Sequence, residues 1–134
     1  MTAIRVVHAG GQRFDVEVRG HHVTVDQPAP AGDDAGPTPV ELFVAGLASC
    51  VVALGGRYLA RHGLDADGLA VVAEHEVADR PSRVSRVRLV VEPPAGLPPN
   101  RLRGLLAVAS HCTVHNSLTR PPDVEITVHP GAGE

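Results

Sequence analysis

One long uncharged segment constrains the fold of this chain of 134 residues more than any other feature. The residues from Leu42 to Gly56 include no charged side chain. Just before them, Thr38-Pro39-Val40-Glu41 has the residues of a capping box, with proline at the first helical position. Gly63 is a natural residue for a helix end. The pattern therefore predicts one helix from Pro39 to His62.

The apolar residues of the predicted helix lie on every face rather than on one stripe. A helix of that kind needs cover on all sides, and the rest of so short a chain supplies only one small sheet. The uncharged run of 15 residues is shorter than the roughly 20 that a membrane span requires. We therefore expect a buried helix that a second copy of the chain covers in an obligate homodimer, and no membrane partner.

The segments around this helix predict an α+β fold in a single domain over residues 1–134. Alternating apolar and polar residues predict strands over residues 13–18, 23–26, 69–78, 84–92 and 124–128, with turns at Gly10-Gly11 and Gly20, and one antiparallel sheet. Asn100 is the expected cap of a second helix from Arg101 to about Ser110. Residues 27–37 are expected to form an exposed, mobile loop, and residues 115–118 a short turn.

The charge balance excludes several classes of function. All 12 basic residues are Arg, which excludes Schiff-base chemistry and the phosphate-binding loop because both need Lys. A net charge of −3 with 2 % aromatic residues does not suit a nucleic-acid-binding surface. The first residues lack the charged and apolar regions of a secretory signal. These features predict a cytoplasmic protein without a nucleic-acid partner.

Two cysteines, Cys50 in the predicted helix and Cys112 after the second helix, are the candidates for chemistry. A reducing compartment favours a transient disulfide over a structural one, although free cysteines also serve as small buried apolar residues. Burial would keep Cys50 neutral unless a positive group lies nearby. Free amides after Cys112, with His111 and His115, would lower the pKa of Cys112. Cys112 and His115 have the spacing of half a zinc site, but no second pair exists, so no metal is expected.

Two segments around the cysteines form a recognisable pair. The first, residues 36–50, reads Gly-Pro-Thr-Pro-Val-Glu-Leu-Phe-Val-Ala-Gly-Leu-Ala-Ser-Cys, and the second, residues 111–118, reads His-Cys-Thr-Val-His-Asn-Ser-Leu. In this order they resemble the OsmC/Ohr family, and the likeness extends over nearly the whole chain. The resemblance implies an OsmC-like fold: an intertwined homodimer in which antiparallel sheet wraps long central helices, with two active sites at the interface.

Well-studied members of that family are thiol-dependent peroxidases that reduce organic hydroperoxides in the response to oxidative stress. By position, the resemblance implies that Cys50 is the peroxidatic cysteine and Cys112 the resolving one. A sulfenic acid on Cys50 would condense with Cys112, and a dithiol reductant, of the lipoyl type or another thiol, would restore both. No metal, flavin or other cofactor is implied. In family members an Arg from the N-terminal strands holds the thiolate; Arg13 is the nearest match, with Arg19 second.

One position departs from the pattern of the hydroperoxide-resistance members. These carry Glu directly after the proline, oriented against the Arg, whereas here Val40 follows Pro39 and the acid is Glu41. A shift of one position turns a helical side chain by about 100°, which favours a capping role for Glu41. The sequence therefore places the chain among the broader OsmC-like proteins. It leaves open which Arg faces Cys50, and it leaves a second function open: a non-catalytic or weakly active dimer that binds a small apolar ligand.

Overall fold

The computed structural model describes residues 2–130, which form strands and helices in an α+β order. The α+β class expected from the sequence is confirmed. The elements are β1 (Arg5–Gly10), β2 (Arg13–Val18), β3 (His21–Val25), α1 (Pro39–Arg61), β4 (Ala70–Ala78), β5 (Arg83–Glu92), a short 3₁₀ turn (Pro99–Arg101), α2 (Leu102–Ala109) and α3 (Thr113–Thr119).

The strands form two antiparallel sheets rather than the single sheet that we expected. One sheet has the order β1-β2-β3, and the other is the hairpin β4-β5. The β4-β5 hairpin packs against α1, whereas β1, β2 and β3 make their extensive contacts with one another. The two sheets stay apart because the apolar face of the hairpin is satisfied by the helix, which requires no pairing between the sheet edges. The N-terminal sheet is therefore left without a helix of its own chain to cover it.

Helix α1 begins at the expected residue and ends one residue earlier than expected. Its capping box is formed: Thr38 Oγ1 accepts a hydrogen bond from the Glu41 N–H at 3.1 Å, and Glu41 Oε1 accepts one from the Thr38 N–H at 2.9 Å. His62 is the C-cap, and Gly63 follows with a φ of +66°. Glycine adopts that left-handed conformation without strain. Local chemistry thus sets both ends of the helix.

Only one stripe of α1 is buried within the chain, although a wholly buried helix was expected. The buried residues recur every three or four positions: Val44, Leu47, Val51, Gly55 and Leu59. By length and by a mean hydropathy of 1.8 the helix is apolar enough to cross a membrane, and 22 % of its most apolar window is buried. Because α2, α3, β4 and β5 all contact it, we interpret α1 as the core helix of the fold, with apolar faces that one chain leaves uncovered.

The segment after β5 differs from the sequence prediction at two places. Asn100 lies inside the 3₁₀ turn and caps nothing with its side chain, and the α-helix starts at Leu102. The proline-rich stretch before it favours this tighter turn, since proline suits the first positions of a helical turn. The expected turn at 115–118 belongs to helix α3, and Cys112 is the N-cap of α3. This helix positions the candidate site.

The strand expected at 124–128 does not form within the described chain. Val124, Ile126 and Val128 are 77 %, 87 % and 94 % exposed. A strand needs a neighbouring edge to pair its backbone groups, and no strand of the described residues pairs with this segment. The alternating apolar side chains are therefore present, but the described chain has no neighbouring strand that would bury them.

Asp26 organises the loop that leads into α1. Its side chain accepts hydrogen bonds from the backbone N–H groups of Gln27, Asp33 and Ala35 at 2.7, 3.2 and 3.0 Å, and the residue is 1 % exposed. These bonds, the one from Ala35 above all, together with the charge of Arg13, lower the pKa of Asp26 against the opposing effect of burial. The loop that we expected to be mobile is therefore fixed around a buried carboxylate.

We expect Asp26→Asn to lower the melting temperature by several degrees, because the amide turns one acceptor into a donor that faces backbone N–H groups. The folded pKa of Asp26 lies below its ordinary value of 3.8. Its stabilisation is therefore complete well above that pH and is lost as the pH falls through the folded pKa. Thermal unfolding followed by circular dichroism should show a large difference from the native chain at neutral pH and a smaller one in acid. Equal melting temperatures at neutral pH would refute this role.

Candidate active site

The fold brings the two cysteines together although 62 positions separate them in the sequence. Cys50 lies in the middle of α1 and is half-buried, whereas Cys112 is fully buried before α3. Cys112 belongs to a core cluster with Leu47, Val51 and Ala109, and Cys50 packs against that cluster. Both residues are free thiols, and each side chain shifts the pKa of the other. The site is therefore a pair of neighbouring thiols at the edge of the core.

The first turn of α3 supplies hydrogen-bond donors to both sulfur atoms. The first backbone N–H groups of a helix have no partner within the helix. Here the His115 N–H donates to Cys112 Sγ at 3.3 Å, and the N–H groups of Thr113 and Val114 lower the pKa of Cys50. The next N–H group, of Asn116, returns to the normal helical pattern and bonds the Cys112 carbonyl. All three free N–H groups of the turn thus act on the two thiols.

The surroundings of the two thiols shift their pKa values in opposite directions. The pKa of Cys50 is lowered, chiefly by the Val114 N–H and then by the Cys112 side chain, the Thr113 N–H and the charge of Arg57, against the opposing effect of burial. The pKa of Cys112 is raised, chiefly by burial. Cys50 is therefore the thiol that ionises first, and Cys112 is its neutral neighbour. From the sequence we expected the free N–H groups to lower the pKa of Cys112, whereas in the structure they mainly lower the pKa of Cys50.

We expect Thr113→Pro to slow alkylation of Cys50 at neutral pH by several-fold, because it removes one N–H donor from the thiolate. Proline fits the first helical position. The residue before it, Cys112, has a φ of −80° and a ψ of 154°, the extended backbone that a residue preceding proline prefers. The rate of iodoacetamide reaction, resolved by peptide mass spectrometry, measures the effect. Thr113→Ala keeps the N–H and is the matched control; equal slowing in both variants would contradict this account.

Arg13 and Arg19 lie on the N-terminal sheet and away from the thiols of their own chain. Arg13 is exposed on β2, where its charge acts on Asp26. Arg19 occupies the turn between β2 and β3 with a φ of +50°. Because this sheet makes no extensive contact with α1, neither guanidinium is brought to Cys50 by the fold of one chain.

The remaining candidates have local roles in the structure. Glu41 completes the capping box of α1, and its carboxylate is exposed. His111 is exposed beyond α2, and its backbone N–H bonds the Val108 carbonyl. His115 serves Cys112 through its backbone N–H, while its side chain is exposed. Within residues 2–130, no group of three or more His, Cys, Asp or Glu side chains comes together in a way that could hold a metal ion.

An open groove of about 530 Å³ lies beside the cysteine pair. It runs between α1, β5 and α3, and Leu47 and His115 connect it to the surroundings of the two sulfurs. Its walls are mainly apolar and its lining is Phe43, Leu47, Val84, Ser85, Arg86, Val87, Leu89, His115, Leu118 and Thr119. Such a surface suits a small apolar molecule that approaches the thiols from one side.

Comparison with known proteins identifies the family. A family model described as OsmC-like protein matches residues 32–127, which is more than half of the chain. The chain belongs to the OsmC-like protein family. Among curated proteins, none matches this OsmC-like protein. The resemblance noted in the sequence is thereby confirmed.

Solved structures share the fold of this OsmC-like protein. A candidate osmotic stress induced and detoxification response protein from Psychrobacter arcticus has 23 % identity and a TM-score of 0.80, with 87 % of this chain and 88 % of that chain covered. An organic hydroperoxide resistance protein OsmC from Legionella pneumophila has 21 % identity and a TM-score of 0.60, with 88 % of each chain covered. An organic hydroperoxide resistance protein from Elizabethkingia anophelis has 20 % identity and a TM-score of 0.66, with 90 % of each chain covered. At these identities the likeness shows the OsmC-like fold.

Sequence reasoning missed the residues that tune the thiols. The N–H groups of Thr113 and Val114 belong to a helix of seven residues, which is too short to show an apolar period. In the sequence, Arg57 marks only the end of an uncharged run, although its spacing of seven from Cys50 places both on one helix face. That spacing is the sequence feature that could have identified Arg57 as a neighbour of Cys50.

Proposed function

We propose that this OsmC-like protein is a thiol-dependent peroxidase that reduces organic hydroperoxides through Cys50 and Cys112. The observation that carries the proposal is that Cys50, a thiol of lowered pKa, packs against the core cluster that contains the buried thiol Cys112. Catalytic cysteines need this combination of an ionised sulfur and a second sulfur within reach. The names of the Legionella and Elizabethkingia proteins, both organic hydroperoxide resistance proteins, support the substrate class.

The first step is attack of the Cys50 thiolate on the terminal oxygen of the hydroperoxide. A sulfur–oxygen bond forms, the O–O bond breaks, and the alkoxide takes a proton and leaves as the alcohol. Sulfur is oxidised by two electrons and the peroxide is reduced by two. The N–H groups of Thr113 and Val114, which lower the pKa of Cys50, remain beside the sulfenic acid.

The second step joins the two sulfurs. Cys112 attacks the sulfur of the Cys50 sulfenic acid, its own proton combines with the departing hydroxide, and water leaves as the disulfide forms. A dithiol, of the lipoyl type or another thiol pair, then exchanges with this disulfide and is oxidised in its place. The proposed cycle needs no metal or flavin, and we place it in the cytoplasm, where such reductants are maintained.

We further propose that the working form is an intertwined homodimer. The N-terminal sheet lacks a helix of its own chain, α1 has uncovered apolar faces, and the segment 124–128 has an unpaired apolar alternation. Each of these surfaces needs a partner surface to cover it. A second copy of the chain has a sheet, a helix and an unpaired segment that can cover all three. In such a dimer the sheet that carries Arg13 would lie on another chain's α1, which is how Arg13 would reach a Cys50.

Reaction with one equivalent of cumene hydroperoxide tests the proposed function. The intact mass should fall by two hydrogens as the Cys50–Cys112 disulfide forms, with one equivalent of cumyl alcohol released. A dimer that only binds a small apolar ligand in the groove would instead keep both thiols and melt at a higher temperature with the ligand present. Retention of both thiols would therefore overturn the peroxidase and leave the binding protein.

A further inference from the structure

Arg57 follows Cys50 by seven positions on α1. Seven residues correspond to about 700° of rotation and about 10.5 Å of rise, so the two side chains leave the same helix face two turns apart. Helical side chains tilt toward the N-terminus of their helix, which directs the long Arg57 side chain back toward Cys50. Between them on that face lie Ala53, which is short and exposed, and Leu54, which packs against the core cluster.

No carboxylate competes for this guanidinium in the part of the chain that the structure describes. The ion pair found there joins His22 to Asp15 on the N-terminal sheet. Along the sequence, no acidic residue occurs from position 42 to position 64. Arg57 is therefore an exposed, permanently charged group beside an otherwise uncharged helix face, and the Cys50 thiolate is the negative charge available on that face.

The other elements packed around Cys50 add little charge. From β5 the inward residues are apolar, namely Val87, Leu89 and Val91, while the arginines at 86 and 88 alternate with them on the opposite face. Helix α2 contributes buried Leu105 and Ala109. The titratable groups on the near side of these elements are Cys112 and the exposed His115 on α3, and the exposed His75 on β4. Glu74 and Glu76 of β4 instead pair across the hairpin with Arg88 and Arg86, on its opposite face. Of the charged side chains, Arg57 acts on Cys50.

We propose that Arg57 is a positioning residue for the Cys50 thiolate, holding negative charge on the sulfur from the same helix. Its guanidinium works together with the N–H groups of α3, which approach the sulfur from another element. Because Arg57 and Cys50 belong to one chain, this contribution requires no second copy, unlike that of Arg13. A role for this effect in catalysis rests on the proposed peroxidase function. The effect of Arg57 on the Cys50 thiolate can nevertheless be measured without a peroxide.

The test compares Arg57→Gln with Arg61→Gln, which removes an equal charge one turn further along α1. The pH dependence of iodoacetamide reaction at Cys50 is followed by peptide mass spectrometry in the full-length protein. Arg57→Gln should move the midpoint to higher pH and slow reaction at neutral pH by about two- to fivefold, as expected for an exposed charge. Arg57→Lys should keep most of the native rate, and Arg61→Gln should leave the midpoint unchanged.

Salt provides a second measurement on the native chain. Raising the ionic strength from about 0.01 M to about 1 M shortens the screening length from about 30 Å to about 3 Å, so the native midpoint should rise while that of Arg57→Gln stays nearly constant. An unchanged midpoint in Arg57→Gln, or an equal shift in Arg61→Gln, overturns the role of Arg57. Either result leaves the peroxidase itself to be judged by the mass change with hydroperoxide, so the two failures are distinguishable.

Discussion

Cys50→Ser will reduce hydroperoxide consumption to the uncatalysed rate, the largest effect we expect of any single substitution. A serine hydroxyl at this position can still accept the N–H groups of Thr113 and Val114, so the fold should be retained. It is far too weak an acid to form the attacking anion that a cysteine supplies. Release of alcohol from cumene hydroperoxide in the presence of a dithiol measures the loss.

Cys112→Ser is the matched variant for this experiment. Serine is a preferred N-cap, so it should keep the contact with the His115 N–H that Cys112 makes. Each chain should then release one equivalent of alcohol and stop at a sulfenic acid on Cys50 that dimedone traps, unless added thiol reduces it. Full turnover in Cys50→Ser, or a Cys112→Ser protein that consumes hydroperoxide without forming a dimedone adduct on Cys50, would contradict the assignment of roles.

Ile126→Asp will convert the protein from dimer to monomer, the second large effect that we expect. Ile126 is 87 % exposed in a single chain, and Val124 and Val128 are exposed with it. In a strand that pairs with a second copy, these three side chains would share one side. Burying one such side chain is worth about 1.5–3 kcal/mol, and a carboxylate in its place would have to lose its water without a partner. Light scattering should give twice 14.0 kDa for the native chain and 14.0 kDa for the variant.

Thr127→Asp is the control for the assembly experiment, because in a strand paired with a second copy residue 127 would point to the opposite side. It should remain dimeric. Monomeric native protein, or dimeric Ile126→Asp, would contradict the proposed dimer. Since Arg13 reaches a Cys50 only across chains in this account, the monomer should also lose the part of the activity that depends on Arg13 while keeping the contribution of Arg57.

The parts of the fold that the sequence predicted are those that depend on local chemistry. The capping box of Thr38 and Glu41 marks the start of α1, and Gly63 marks its end. Alternation predicted β2, β3, β4 and β5 to within two residues. Strand β1 was not delimited, since the adjacent Val6 and Val7 break the alternation.

The rest depends on contacts between distant segments. The number of sheets depends on which element covers each apolar face. Residues 124–128 can form a strand only beside a free strand edge, and no strand of the described chain pairs with them. For the site, the sequence supplied both cysteines but not the direction of α3, whose free N–H groups decide which thiol ionises. Periodicity carries no information on where a short helix points.

The central claim is that Cys50 ionises before Cys112, and the ultraviolet absorbance of the thiolate measures it directly as a function of pH. The native protein should show one step below the ordinary value of 9.0 and a second above it. The lower step should vanish in Cys50→Ser and persist in Cys112→Ser. A lower step that survives in Cys50→Ser would assign the acidic thiol to Cys112 and contradict the account.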